Sequence, residues 1–189
     1  DWMPDEIHSQ CCRKFLSGNQ IIEKCVLDPE ERKTANVWEN YVSIGSLQSV
    51  SLNLPRYAYI SKDENDYLRV LEENMELSAR ILRKKWKLIE KRLKSGHLPL
   101  CSGEINGRPI FNLKNQNLSI GFTGLNEAVK SLIGFELHEN TTAYDFGRRI
   151  LEYMVAKCNS MTERDGISYS LWEQPSESTS NRLARLDLK

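Results

Sequence analysis

The sequence has no excess charge of either sign: 26 Lys and Arg residues balance 26 Asp and Glu residues, for a formal net charge of +0. A general attraction to nucleic acid or to an anionic membrane is therefore not expected, and any anion site must be local. No apolar run approaches the roughly 18 residues that span a bilayer, and a secretory signal is not expected. The cysteines, at 11, 12, 25, 101 and 158, contain no Cys-x-x-Cys, which argues against a zinc ribbon inside the chain. Their odd number and irregular spacing make a poor disulfide framework. Free thiols fit a reducing, cytoplasmic setting. The dinucleotide fingerprint, the P-loop and the serine nucleophile elbow are all missing. The histidines at 8, 97 and 138 form no close-spaced set. No internal repeat or low-complexity segment occurs.

What remains is globular in balance, with 189 residues, 40% hydrophobic and 28% charged, enough for one core. The chain begins at Asp1 without an initiator Met and stops at Lys189 inside a charged, helix-like run. A piece of a longer protein is expected.

Residues 1–40 read as an irregular, polar loop with a hairpin. From Ile44 to Ile60 the pattern approaches a buried strand through Leu47, Val50, Leu52 and Leu54, with Pro55 ending its regular pairing. Asp63 opens a long helix whose stripe is Leu68, Leu71, Met75, Ala79, Leu82, Trp86, Ile89 and Leu93, closed by Gly96. At 1.5 Å per residue it would be about 50 Å long, suited to the outside of a large barrel or to a subunit interface. Residues 98–117 read as connection. Leu118 to Phe122 is a short strand, followed by a helix from Gly124 to Leu132 with Gly134 as its stop. Thr141 or Thr142 is expected to cap a further helix, and Ile167 to Trp172 is a third strand. Strands alternating with helices predict an α/β fold.

The last strand turns through Pro175 into Ser176-Glu177-Ser178-Thr179-Ser180, a hydroxyl-rich helix start. Such a start has backbone N–H groups without partners and partial positive charge, which together suit a phosphate. The competing reading is an ordinary Ser-capped helix with a solvated Glu177. Cys11-Cys12-Arg13 admits a buried pair, a redox thiol favoured as thiolate by Arg13, or metal ligation with His8. Gly121 to Glu127 is either a tightly packed helix start or one wall of a nucleotide site. Asn53-Leu54-Pro55-Arg56 stands at a strand end, where α/β folds commonly place working residues, or is simply a terminus with a solvated Arg.

Four segments then act together. Cys11-Cys12-Arg13-Lys14-Phe15-Leu16, Leu52-Asn53-Leu54-Pro55-Arg56, Gly124-Leu125-Asn126-Glu127-Ala128-Val129 and the run from Gln174 to Asp187 stand in the order seen in one family. The sequence resembles the anaerobic, class III ribonucleoside-triphosphate reductases of the glycyl-radical superfamily, over nearly its whole length. The resemblance implies part of a ten-stranded α/β barrel with a radical-cysteine finger loop, residues 1–40 forming the finger loop and hairpin and 41–189 the C-terminal part of the barrel.

It implies further that Cys12, which matches the Cys before Arg and Phe-Leu, carries a transient thiyl radical. Ser176, Ser178 and Thr179 would bind substrate phosphates, and Glu177 would act as acid or base near the ribose. Asn53 and Ser46 would also contact substrate. The implied reductant is formate or a thioredoxin-like dithiol; formate-using members tend to have Met-Asn-Leu-Gly where this chain reads Gly45-Ser46-Leu47-Gln48, and Ser46 in place of the Asn points away from formate and toward the dithiol. The glycyl radical, ATP or dNTP effector sites and a zinc site are expected outside this chain, which has no Arg-x-x-Gly-Tyr. The implied partners are a ribonucleoside triphosphate, a radical-SAM iron–sulfur activating enzyme and a second copy in a homodimer, with no nucleic acid or membrane. The alternatives are another glycyl-radical enzyme of formate-lyase type, or a barrel that binds nucleotide without radical chemistry.

Overall fold

The computed structural model describes residues 7–10, 14–17, 45–105, 108–174 and 176–188. The elements in chain order are β1 (Ile7–Gln10), β2 (Lys14–Ser17), β3 (Gly45–Asn53), α1 (Leu54–Ile60), α2 (Glu64–Lys94), β4 (Glu104–Ile105), β5 (Arg108–Pro109), β6 (Gln116–Thr123), α3 (Leu125–Ile133), α4 (Thr141–Asp165), β7 (Tyr169–Glu173) and α5 (Glu177–Asp187). The architecture is α/β, with a parallel sheet in the order β3-β6-β7.

The chain divides into two compact units, Asp1–Gln48 with Arg83–Leu118 and Ser49–Leu82 with Ser119–Lys189. In the first, β1 and β2 pair antiparallel from Ile7↔Ser17 to Gln10↔Lys14, which meets the expected hairpin. Lys85 Nζ, on α2, donates to Gln48 Oε1 at 3.1 Å. The two-residue strands β4 and β5 pair antiparallel in the stretch expected to be connection.

Most of the buried hydrophobic residues among those described lie in the second unit. α2 starts where Asp63 Oδ1 accepts from Asp66 N at 2.9 Å, a side-chain cap at the expected residue. Its buried stripe is Tyr67, Val70, Leu71, Met75, Ser78, Ala79 and Leu82. α4 matches it with Ala143, Phe146, Ile150, Met154, Cys158 and Met161. Each fully buried Leu, Ile or Met contributes roughly 1.5–3 kcal/mol relative to exposure. Polar pairs flank this seam: Arg149–Glu64 at 3.4 Å, Tyr153 Oη to Glu72 Oε2 at 2.8 Å, Lys157 to the other Glu72 oxygen, and Arg164–Glu76 at 3.0 Å. The partners rise together in number, so the helices run side by side in the same direction.

Two boundaries differ from expectation. Leu54 is not the end of a strand but the first residue of α1, with Pro55 in its first turn and the Asn53 side chain accepting from Arg56 N at 3.4 Å. Proline is pre-shaped for a helix start, where a missing N–H costs nothing. α4 is capped by Asn140, whose Oδ1 accepts from Thr142 N at 2.7 Å, rather than by a threonine.

Gly124 stands between β6 and α3 at φ 76°, and a Cβ there would collide with the Pro55 ring. Gly124→Ala combines left-handed strain with overlap and should destabilise the fold by roughly 2–4 kcal/mol, read by urea denaturation. Glu72 supplies a pH-dependent contribution. The Lys157 hydrogen bond, then the Tyr153 one, hold its carboxyl below the ordinary 4.5. Its stabilisation is full above that ordinary value and is lost as pH falls through the depressed native one. Because the pair is partly solvated, Glu72→Gln should cost only about 0.5–1 kcal/mol at neutral pH. The gap between the two denaturation midpoints should close on acidification.

Candidate active-site cleft

β6 alternates in character along its length. Ile120 and Phe122 are buried on one face. Ser119, Gly121 and Thr123 fall on the other, because successive side chains of a strand point to opposite faces. Neighbouring strands extend this small, polar face: Ser119 Oγ lies 3.3 Å from Ser170 Oγ of β7, and Ser51 of β3 reaches Gln174. The signal was present in the alternation of 118–123, but a five-residue apolar-looking strand conceals it.

The final residues of the three strands, Asn53, Thr123 and Glu173, all line one cleft of about 710 Å³. Carboxyl ends of parallel strands are where open α/β sheets bind ligands. α5 forms another wall through Ser176, Leu183 and Asp187. The cleft is no general anion trap, since Glu127, Glu173 and Asp187 line it.

At the start of α5, Ser176 occupies the N-cap position, yet its side chain makes no cap hydrogen bond. Its hydroxyl is turned sideways, 2.9 Å from Thr123 Oγ1 and accepting from Ser180 Oγ at 2.9 Å. The first backbone bond of the helix runs from Ser180 N to Ser176 O at 2.7 Å. Ser176 thus stands at the capping position, as the competing reading has it, but its hydroxyl accepts from none of the first-turn N–H groups. Ser178 is exposed and Thr179 half-buried in that turn.

The other end of α5 is fastened by Asp187. Its carboxylate accepts from Asn53 Nδ2 at 3.3 Å and pairs with Arg56 at 3.4 Å. Asn53 thus lines the cleft while also capping α1 and tethering α5. Two of the sequence segments singled out above, around Asn53 and around Asp187, meet in space. That contact spans 134 positions and was not legible from spacing.

Cys12 and the Glu177 side chain lie outside the described residues. Ser46 is exposed near the beginning of β3, at the opposite end of that strand from Asn53. Cys158 is buried in α4, and burial pushes its thiol up to about 11. Among the described residues, no group of three His, Cys, Asp or Glu side chains is arranged to hold a metal ion. No described helix is long and apolar enough to cross a membrane.

The family model described as anaerobic ribonucleoside-triphosphate reductase matches residues 1–189. The chain belongs to the anaerobic ribonucleoside-triphosphate reductase family. Among individual members, it is 28% identical over 174 residues to the anaerobic ribonucleoside-triphosphate reductase of Escherichia coli K12, covering 82% of this chain and 24% of that protein. The enzyme of the same name from enterobacteria phage T4 is 29% identical over 197 residues, covering 93% of this chain and 28% of that protein. The chain therefore spans about a quarter of the length of these reductases. The anaerobic ribonucleotide reductase of Thermotoga maritima, solved with citrate in its active site, superposes with a TM-score of 0.67 at 26% identity, covering 76% of this chain and 27% of that one. The same reductase with dATP in its specificity site gives 0.66 at 25% identity, covering 76% and 25%.

Proposed function

We propose that this chain is part of the catalytic core of an anaerobic ribonucleotide reductase. In that reading residues 1–40 supply the finger loop and residues 41–189 a portion of the ten-stranded barrel. The substrate is a ribonucleoside triphosphate, and the 2′-hydroxyl leaves as water while a reductant supplies two electrons. Formate or a thioredoxin-like dithiol fills that role. Cys12 takes the 3′-hydrogen as a thiyl radical and returns it afterwards, in a site closed to water. Glu177 moves the proton that turns the 2′-hydroxyl into a leaving group. The radical that generates the thiyl is a glycyl radical elsewhere in the intact protein, installed by a radical-SAM activating enzyme. Effector nucleotides, a zinc site and the homodimer contact belong to the same reading, as does a cytoplasmic location.

One observation carries the substrate side of the proposal: the start of α5, at the carboxyl end of β7, is left uncapped by Ser176. Those N–H groups and the helix dipole favour a phosphate oxygen. Ser178 and Thr179 add hydroxyl donors in the same turn, with Ser176 and Asn53, which line the same cleft, as further substrate contacts.

In the intact protein, Cys12→Ser should leave nucleotide binding unchanged and abolish deoxynucleotide formation. A product assay that still finds turnover removes Cys12 from the chemistry. Ser178→Ala combined with Thr179→Ala should weaken triphosphate binding by roughly 0.5–1.5 kcal/mol per hydrogen bond lost. Isothermal titration with the parent and double variant measures it, and equal affinities would take the first turn of α5 out of the phosphate site.

A further inference from the structure

One cluster on the polar face of the sheet has no part in the roles assigned above. Ser51 Oγ, on β3, donates to Gln174 Oε1, just past the end of β7, at 3.0 Å. These are the outer strands of the sheet, so the bond must pass over the middle one, β6. It passes at Gly121. A Cβ on Gly121 would stand 2.9 Å from Gln174 Oε1, 2.9 Å from Trp172 Nε1 and 3.3 Å from Ser51 Oγ. Three polar side-chain tips thus close over a backbone that has nothing to put between them. The indole N–H of Trp172 is buried there without a hydrogen-bond partner among the described residues.

The position of Gln174 gives the cluster its meaning. Two residues later comes Ser176, at the start of α5. Gln174 is held twice, by its backbone N donating to Phe122 O at 3.0 Å and by its side chain through Ser51. Ser176 is held once more, through Thr123. The approach to α5 is therefore tied to both neighbouring strands.

We infer that Gln174 is a positioning residue: the Ser51–Gln174 bond across Gly121 sets where α5 begins, and so where the substrate's phosphates are gripped. The inference rests on the phosphate reading of α5 given above. Side-chain atoms, not backbone, crowd Gly121, so Gly121→Ala displaces the strut and the buried N–H edge of the Trp172 ring beside it while the sheet persists. Ser51→Ala removes the donor without adding an atom.

The test uses the intact protein and two readouts. By hydrogen exchange, the amides of residues 180–184 should exchange about tenfold faster in Ser51→Ala and in Gly121→Ala, the change expected for about one hydrogen bond, while those of α2 and α4 keep parent rates. In steady-state kinetics, KM for the nucleoside triphosphate should rise by a similar factor with kcat retained, the pattern of lost uniform binding. A general loss of fold would instead lower kcat through a smaller active fraction. The double variant should be no worse than the more impaired single one, because both changes break the same strut. Parent exchange rates at 180–184 in Ser51→Ala would overturn the inference, as would faster exchange with an unchanged KM. The phosphate reading stands or falls separately, on Ser178→Ala with Thr179→Ala measured with Ser51 and Gly121 intact.

Discussion

The middle strand of the sheet, β6, has to satisfy two different surroundings at once. On one face Ile120 and Phe122 join the apolar core, with Leu52 buried on β3. On the other face bulk is excluded, and Ser119, Gly121 and Thr123 leave room for side chains that cross from the outer strands. The strand period of two keeps these demands apart: no residue serves both faces, and a shift of one position would exchange them. Gly124 then turns the chain out of β6 in a conformation open to glycine, against Pro55. The end of β6, the start of α1 and the start of α3 are thus fixed relative to one another by one contact between a ring and a missing side chain.

The cleft is a result of that arrangement. Three strands end together, and the chain after β7 is tied back to β6 through Ser176 and Thr123 before α5 begins. At the other end of α5, Asp187 returns to the Asn53–Arg56 turn. α5 is thus secured at both ends while the side chain at its N-cap makes no cap hydrogen bond.

Much of the fold was legible from local chemistry. The helix beginning at Asp63 follows from its stripe and cap, and burial tracks that stripe from Leu71 to Leu82; before it Tyr67 and Val70 are buried while Leu68 is half-buried, and beyond it Trp86, Ile89 and Leu93 are only half-buried. Periodicity records which face is apolar, not how far along the helix other elements cover it. Pro55 misled because proline ends a strand and begins a helix equally well. At the start of α4 Asn140, Thr141 and Thr142 all suit a cap in sequence, and asparagine, the stronger N-cap, takes the position. The start of α5 was visible as a run of hydroxyls. Its lateral bond to Thr123 was not, because a contact across 53 positions leaves no local trace. The same limit hid the meeting of Asn53 with Asp187 and of Ser51 with Gln174, whereas the order of the four family segments was legible without any of these contacts.

The fold also makes chemically identical side chains unequal. Cys158 sits inside α4 with 2% of its surface exposed and its thiol raised to about 11. At neutral pH it stays protonated, and a protonated, enclosed sulfur is a poor nucleophile and a poor target for oxidants or disulfide exchange. For a chain whose proposed chemistry passes an unpaired electron and reducing equivalents through sulfur, one bystander cysteine has been made mute by its helix, so that it neither diverts the reductant nor becomes a cross-link.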